Sequence, residues 1–95
     1  MIKLTAPLEL WAIEGGHCHF LSLPETQSDE IRAHSRLNPR GFGSVRVEAT
    51  INHVVWRTSV FPQKSGGYFL PVKKEVCRKA GITTEDEIRV TLELI

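Results

Sequence analysis

Residues 45–61 of this 95-residue chain read VRVEATINHVVWRTSVF, and they decide its fold. Apolar and polar residues alternate on both sides of Asn52-His53, which is the pattern of half-buried β-strands. A two-residue turn at Asn52-His53 makes four inner pairs: Ile51 with Val54, Ala49 with Trp56, Val47 with Thr58 and Val45 with Val60. Glu48 then lies opposite Arg57 on the outer face as a pair of opposite charge. The stretch is therefore predicted to be a β-hairpin.

Further strands and two helices are predicted around this hairpin. The strands cover residues 8–13, 17–23, 68–70 and 88–94, and the helices run from Pro24 to about Ser35 and from Pro71 to Ala80. Gly81 supplies a left-handed C-terminal cap for the second helix, with Ile82 folding back as its apolar contact. The first helix has a thin apolar face and is expected on the surface. Residues 37–43 are interpreted as a loop.

The two halves of the chain share an order of features: strand, Gly-Gly turn, strand, helix, strand. The glycine pairs are Gly15-Gly16 and Gly66-Gly67, and a tryptophan precedes each pair, Trp11 in the first half and Trp56 in the second. Because the spacings differ, the similarity is either an internal pseudo-two-fold duplication or a coincidence. Each half presents one apolar sheet face, and two such faces packed together close a small β-barrel.

Several runs resemble the DUF1905 domain family of bacterial proteins. They are RGFGSVRVEATI (40–51), WRTSVFP (56–62), LPVKK (70–74) and DEIRVTLEL (86–94), with residues 8–11 and 20–24 fitting the front of the family pattern. The resemblance implies a mainly β fold, a small double-split β-barrel with two short α-helices, related in architecture to the AbrB-like swapped-hairpin fold. It implies no activity, because the family has none assigned.

Composition narrows the class of protein. Hydrophobic residues at 41% and charged residues at 24% are near globular averages, so disorder is not expected. No apolar run approaches the roughly 20 residues of a membrane-spanning helix, and the N-terminus lacks a signal-peptide pattern. Two cysteines cannot form the disulfide framework of a secreted protein. We therefore expect one soluble, cytoplasmic domain over residues 1–95.

Reactive side chains are present but do not form a recognisable catalytic or metal-binding pattern. His17 and His19 share one face of a strand while Cys18 points to the other, so the triplet offers two ligands where zinc needs three or four. A nucleophilic pair of Cys77 and His53 has no oxyanion hole or orienting carboxylate at a meaningful spacing. The sequence predicts no enzyme activity, no metal and no cofactor.

Charge is distributed unevenly along the chain. The net charge is only +1, yet residues 36–81 carry nine basic and two acidic side chains between acidic ends. This centre is either neutralised within the fold or forms an anion or nucleic-acid surface. The candidate residues for such a surface are Arg40, Lys64, Lys73, Lys74, Arg78 and Lys79.

Two functions remain open from the sequence. The first is a non-enzymatic small β-barrel that binds a partner protein or a small ligand. The alternative is an AbrB-like nucleic-acid-binding regulator or antitoxin-type protein, because residues 70–90 also resemble the strand–Pro–helix–Gly–strand unit of those proteins. A chain that holds both halves of the barrel is expected to be a monomer rather than a homodimer, which disfavours the two-fold match to a palindromic DNA site.

Overall fold

A computed structural model describes residues 1–37, 43–64 and 66–95 of the chain. Within these residues the elements are, in order, β1 (Ile2–Ile13), β2 (Gly16–Ser22), α1 (Glu25–Leu37), β3 (Val45–Ile51), β4 (Val54–Pro62), β5 (Tyr68–Val72), α2 (Lys74–Ala80) and β6 (Glu87–Leu94). Neither helix in this part of the chain is long and apolar enough to cross a membrane.

The strands form a closed antiparallel barrel in the order β1-β2-β5-β4-β3-β6, with β6 closing onto β1. Two strands change partner along their length. The first half of β1, residues 2–7, pairs with β6, and residues 8–13 pair with β2. In the same way, β4 pairs with β3 over residues 54–60 and with β5 only at Phe61 and Pro62. The prediction of a mainly β barrel with two short helices is confirmed.

The central hairpin has the predicted register. Val45 pairs with Val60 and each following pair agrees, up to the turn at Asn52 and His53. Both turn residues have a positive φ, 46° and 71°, as the two-residue turns of β-hairpins require. Glu48 Oε2 lies 3.6 Å from Arg57 Nε on the outer face.

The interior of the barrel is filled by the inward residues of all six strands. Along β1 the buried residues are Ile2, Leu4, Ala6 and Leu8, and every second residue of β3 is buried in the same way. Phe20 is an exception to this plan. It is 1% exposed, but it does not belong to the interior cluster, whereas its neighbour Leu21 does. Phe20 is therefore covered from outside the barrel.

β1 and β5 extend two or more residues beyond their predicted bounds. β1 begins at Ile2 rather than at Leu8, because the alternation of buried and exposed residues continues through Pro7, which pairs with Glu87. The prediction that Pro71 opens the second helix is wrong. Pro71 pairs with Phe20 as part of β5, and α2 begins only after Lys73.

The ends and contacts of the helices follow from local chemistry. Gly81, at φ 70°, caps α2 as predicted, and the Ile82 N–H donates to Cys77 O at 3.0 Å. α1 is attached to the barrel through Ile31 and through Ser28, a polar residue that the sequence did not mark as buried. The Ser28 hydroxyl oxygen accepts the Tyr68 N–H at 3.1 Å.

The pairing order has a two-fold property. If β1, β2 and β3 are exchanged with β4, β5 and β6, every neighbour relation in the closed barrel is preserved. The helices α1 and α2 then exchange as well, because each follows the second strand of its half. An internal duplication would produce this order, and the duplication itself stays a prediction.

Candidate functional site

Aromatic rings lie side by side on the outside of four neighbouring strands. Trp11 comes from β1, Phe20 from β2, Phe69 from β5 and Phe61 from β4, and these strands are adjacent in that order in the barrel. We call these four residues the aromatic face. In β5 and β4 the neighbours Leu70 and Val60 point inward, so the alternation of a strand places Phe69 and Phe61 outward.

Each ring of the aromatic face contacts at least one other ring of the face. The centroids of Trp11 and Phe20 are 3.6 Å apart, and Phe69 lies 5.7 Å from Trp11 and 6.1 Å from Phe20. Phe61 pairs directly with Phe69 across β4 and β5, with 5.7 Å between ring centroids. Phe20 is the buried base of this cluster, whereas Trp11 remains 42% and Phe61 38% exposed. The cluster is thus an apolar patch supported from beneath.

A groove of about 480 Å³ lies beside these rings. It is lined by Trp11, Pro62, Gln63, Lys64 and Phe69, and we call it the aromatic groove. Gln63 is held in place, because its Nε2 donates to Ser22 Oγ at 3.2 Å. Aromatic walls with a few fixed polar groups are typical of small-molecule sites.

The turn between β4 and β5 positions Lys64 at the edge of the aromatic groove. The Gln63 N–H donates to Gly67 O at 2.7 Å, and the Gly66 N–H donates to Gln63 O at 3.0 Å. Gly66 has a φ of 104°, a conformation that favours glycine. Arg32 of α1 also donates a hydrogen bond to Gly66 O, which attaches the turn to the helix. Lys64 is exposed and has no ion-pair partner within residues 1–37, 43–64 and 66–95.

The structure places Lys64 away from Arg78 and Lys79, the cations near the C-terminal end of α2. The C-terminal end of α2 is joined to the β3–β4 turn, where Asn52 Nδ2 donates to Ala80 O at 2.9 Å. Lys64 follows the other end of β4, and a nine-residue strand is roughly 27 Å long. Arg40, the remaining member of the predicted surface, lies outside the described residues.

Four of the predicted cations are exposed on α2 and at its N-cap: Lys73 at the N-cap, and Lys74, Arg78 and Lys79 on the helix. One of them is paired, since Lys79 Nζ lies 3.2 Å from Glu75 Oε1. Lys79 lowers the pKa of Glu75, first through this hydrogen bond and then through its positive charge. The helix therefore carries both signs of charge on its solvent side.

The histidine and cysteine residues are placed as the strand alternation predicts. His17 pairs with Ala12 and His19 with Leu10, while Cys18 pairs with Trp11 on the alternate face. Within the described residues, no three histidine, cysteine or acidic side chains gather in a way that could hold a metal ion. Cys18 is half-buried and Cys77 buried, and both are free thiols. Burial raises the pKa of the Cys77 thiol.

The aromatic face is the feature that sequence reasoning missed. The register of the central hairpin already placed Phe61 on the outer side of β4, because Val60 was assigned to the inner side. The outward position of the Phe61 ring was therefore the sequence signal that could have indicated an aromatic surface. Trp11 and Phe69 are 58 positions apart in the sequence, and only the closure of the barrel makes them neighbours.

Comparison with known families identifies the family of the chain. Residues 5–92 match the model of the family described as "Domain of unknown function (DUF1905)". A search of curated proteins finds no relative that matches the chain.

Proposed function

Since the chain belongs to the DUF1905 family, whose function is unknown, we propose a function from its own surface: a non-enzymatic binding module that holds a small ligand or a segment of a partner protein in the aromatic groove. The observation that supports this proposal is the exposure of Trp11 and Phe61 beside the aromatic groove, over a buried Phe20. Phe20 keeps the site formed before a ligand arrives, which reduces the entropy lost on binding.

The exposed aromatic area is large enough to drive association. An aromatic side chain has roughly 150–250 Å² to bury, so the exposed parts of Trp11 and Phe61 together amount to on the order of 150 Å². Removing that area from water favours binding by about 4 kcal/mol before the entropy of association is subtracted. Because about 4 kcal/mol corresponds to a Kd of about 1 mM even before that subtraction, we expect weak binding, in the millimolar range, for a small ligand that covers both rings.

The lining of the aromatic groove supports binding rather than catalysis. Among the lining residues that the structure describes, Lys64 is the one ionisable side chain, and the other four are aromatic, proline or amide side chains. General acid–base catalysis needs a group positioned to give or take a proton, with a partner that tunes it. A single exposed ammonium serves better to attract a ligand than to transfer protons.

A screen of apolar fragments by two-dimensional ¹H–¹⁵N NMR tests this proposal. We expect fragments to shift the resonances of Trp11, Lys64 and Phe69, and we expect Trp11→Ser to abolish those shifts. Val55→Ser is the matched control, because Val55 is an exposed apolar residue on the same outer side of β4 as Phe61. Fragments that bind elsewhere, or that bind the Trp11→Ser variant equally well, would contradict the proposal.

Nucleic-acid binding through α2, as in an AbrB-like regulator or antitoxin-type protein, is the second candidate. It is favoured by Lys73, Lys74 and Arg78, which are exposed and have no ion-pair partner in the described part of the chain. Against it, Lys79 is paired with Glu75, and the net charge of the chain is only +1. Phosphate contacts need several free cations on one face.

The cellular location, barrel type and oligomeric state of the protein are also proposals. We expect a bacterial, cytoplasmic protein, which two free thiols support because reducing compartments keep cysteines unpaired. The double-split description is supported by the change of partner along β1 and β4. A monomer is supported by a barrel that closes within one chain.

A further inference from the structure

We infer that the aromatic groove takes a small, flat apolar molecule that carries one anionic group, with the ring against Trp11 and the anion at Lys64. This inference rests on the proposed binding function and adds the chemistry of the ligand. It follows from the lining of the aromatic groove: two aromatic walls, a proline and one cation at the edge.

The apolar part of the ligand is specified by the rings. Trp11 and Phe69 both line the aromatic groove, and their centroids are 5.7 Å apart. Trp11 rests on Phe20, so its indole presents a supported surface rather than a mobile one. Aromatic rings prefer neighbours at about 4.5–7 Å between centroids, in tilted or offset arrangements. A ligand ring placed next to Trp11 and Phe69, at a similar centroid distance, satisfies the same preference.

The anionic part is specified by Lys64. The ion pairs of the described residues join Arg32 to Asp29, Arg57 to Glu48 and Lys79 to Glu75, so none of them uses Lys64. The lining residues within 1–37, 43–64 and 66–95 include no carboxylate that would neutralise the ammonium. A carboxylate on the ligand complements this charge, whereas an ammonium on the ligand is repelled.

The size of the aromatic groove favours a small molecule over a polymer. Its volume of about 480 Å³ is within the range of small-molecule sites, about 300–1,000 Å³. One cation matches one anionic group. A nucleic-acid strand would present a phosphate at every nucleotide, and Arg78 and Lys79, near the C-terminal end of α2, lie toward the other end of β4 from Lys64.

Three probes that share a phenylpropyl skeleton and end in an anionic, a neutral or a cationic group test the inference: 3-phenylpropanoate, 3-phenylpropan-1-ol and 3-phenylpropylamine. Trp11 fluorescence is the readout in a Trp56→Phe background, where Trp11 is the remaining tryptophan. The substitution removes an indole N–H that is buried without a hydrogen-bond partner in the described structure. The indole N–H resonance of Trp11 gives the same readout by NMR in the unsubstituted protein.

We expect the acid to bind about two- to fivefold more tightly than the alcohol, as an exposed ion pair allows, and the amine to bind most weakly. Lys64→Gln should remove the preference for the acid over the alcohol. Lys64→Arg should keep the preference. Lys79→Gln is the matched control, because it removes a lysine distant from the aromatic groove and should change nothing. High salt should reduce the advantage of the acid, because it screens exposed charges.

The failures of this inference and of the proposed function are distinguishable. Equal affinities of the three probes at Trp11 would overturn the anion preference and leave the binding module standing. Absence of any response at Trp11 would overturn both. Sedimentation showing a dimer that Trp11→Ser dissociates would also overturn the inference, because a second copy would then be the occupant.

Discussion

Replacing Ser28 with alanine should weaken the attachment of α1 to the barrel. Ser28 is 1% exposed, and its hydroxyl oxygen accepts the N–H of Tyr68, the first residue of β5, at 3.1 Å. The same hydroxyl donates to Leu23 O at 3.4 Å. Alanine fits the space but leaves the Tyr68 N–H buried without this partner. The substitution therefore tests whether one hydroxyl joins the helix, the end of β2 and β5.

The expected loss of stability is about 1–3 kcal/mol, the usual cost of leaving a buried polar group unsatisfied. Alanine also has a higher helix propensity than serine, by roughly 0.5 kcal/mol, and this difference offsets part of the loss. Ser35→Ala is the matched control for that helix preference, since Ser35 is on α1 and has no side-chain hydrogen bond in the described structure. The difference between the two variants isolates the hydrogen bond.

Urea denaturation followed by far-ultraviolet circular dichroism measures this difference, and thermal denaturation provides a second value. For a domain of this size, 1 kcal/mol shifts Tm by about 4–8 °C, so a central value of about 2 kcal/mol lowers Tm by roughly 10 °C relative to Ser35→Ala. If the two variants unfold within about 0.5 kcal/mol of each other, the hydroxyl does not satisfy a buried group and the reasoning is refuted.

Three further predictions concern the turn, the thiols and α2. His53→Gly should raise the free energy of unfolding by about 0.5–1 kcal/mol, because His53 has a φ of 71° that glycine adopts without strain; an unchanged urea midpoint would contradict this. Burial raises the pKa of Cys77. At a pH below or near the ordinary pKa of a cysteine, this thiol therefore stays protonated in the folded protein. A thiol reagent should then modify the native Cys18→Ser variant much more slowly than the native Cys77→Ser variant, and equal rates would show that Cys77 is accessible. Fluorescence anisotropy with a short DNA duplex at about 50 mM salt should show no binding. Saturable binding that Lys74→Gln and Arg78→Gln remove would establish the nucleic-acid alternative instead.

The elements that the sequence predicted well are those whose signal is local. The central hairpin was predicted with its register because alternation, turn and charge pair all agree within residues 45–61. Pro71 was misassigned because proline at the start of a helix and proline in a strand look alike in sequence. β5 tolerates it, since β4 pairs only with Tyr68 and Phe69 and needs no N–H from Pro71.

The candidate site was less predictable because it depends on barrel closure. The sequence identified Lys64 as a candidate but grouped it with the cations of α2, and the length of β4 separates it from two of them, Arg78 and Lys79. Trp11, Phe20 and Phe69 come from three strands whose adjacency follows from the β2–β5 pairing. No local sequence pattern predicts the pairing of β2 with β5.

The most direct test of ligand binding in the aromatic groove is to determine where a bound ligand lies on the protein. Intermolecular nuclear Overhauser effects between the ring protons of 3-phenylpropanoate and the protein identify which side chains the ligand touches. We predict contacts to the indole of Trp11 and the ring of Phe69, with the carboxylate end nearest to Lys64. Contacts confined to α2 or to another surface, with none at Trp11 or Phe69, would show that the aromatic groove is not the binding site.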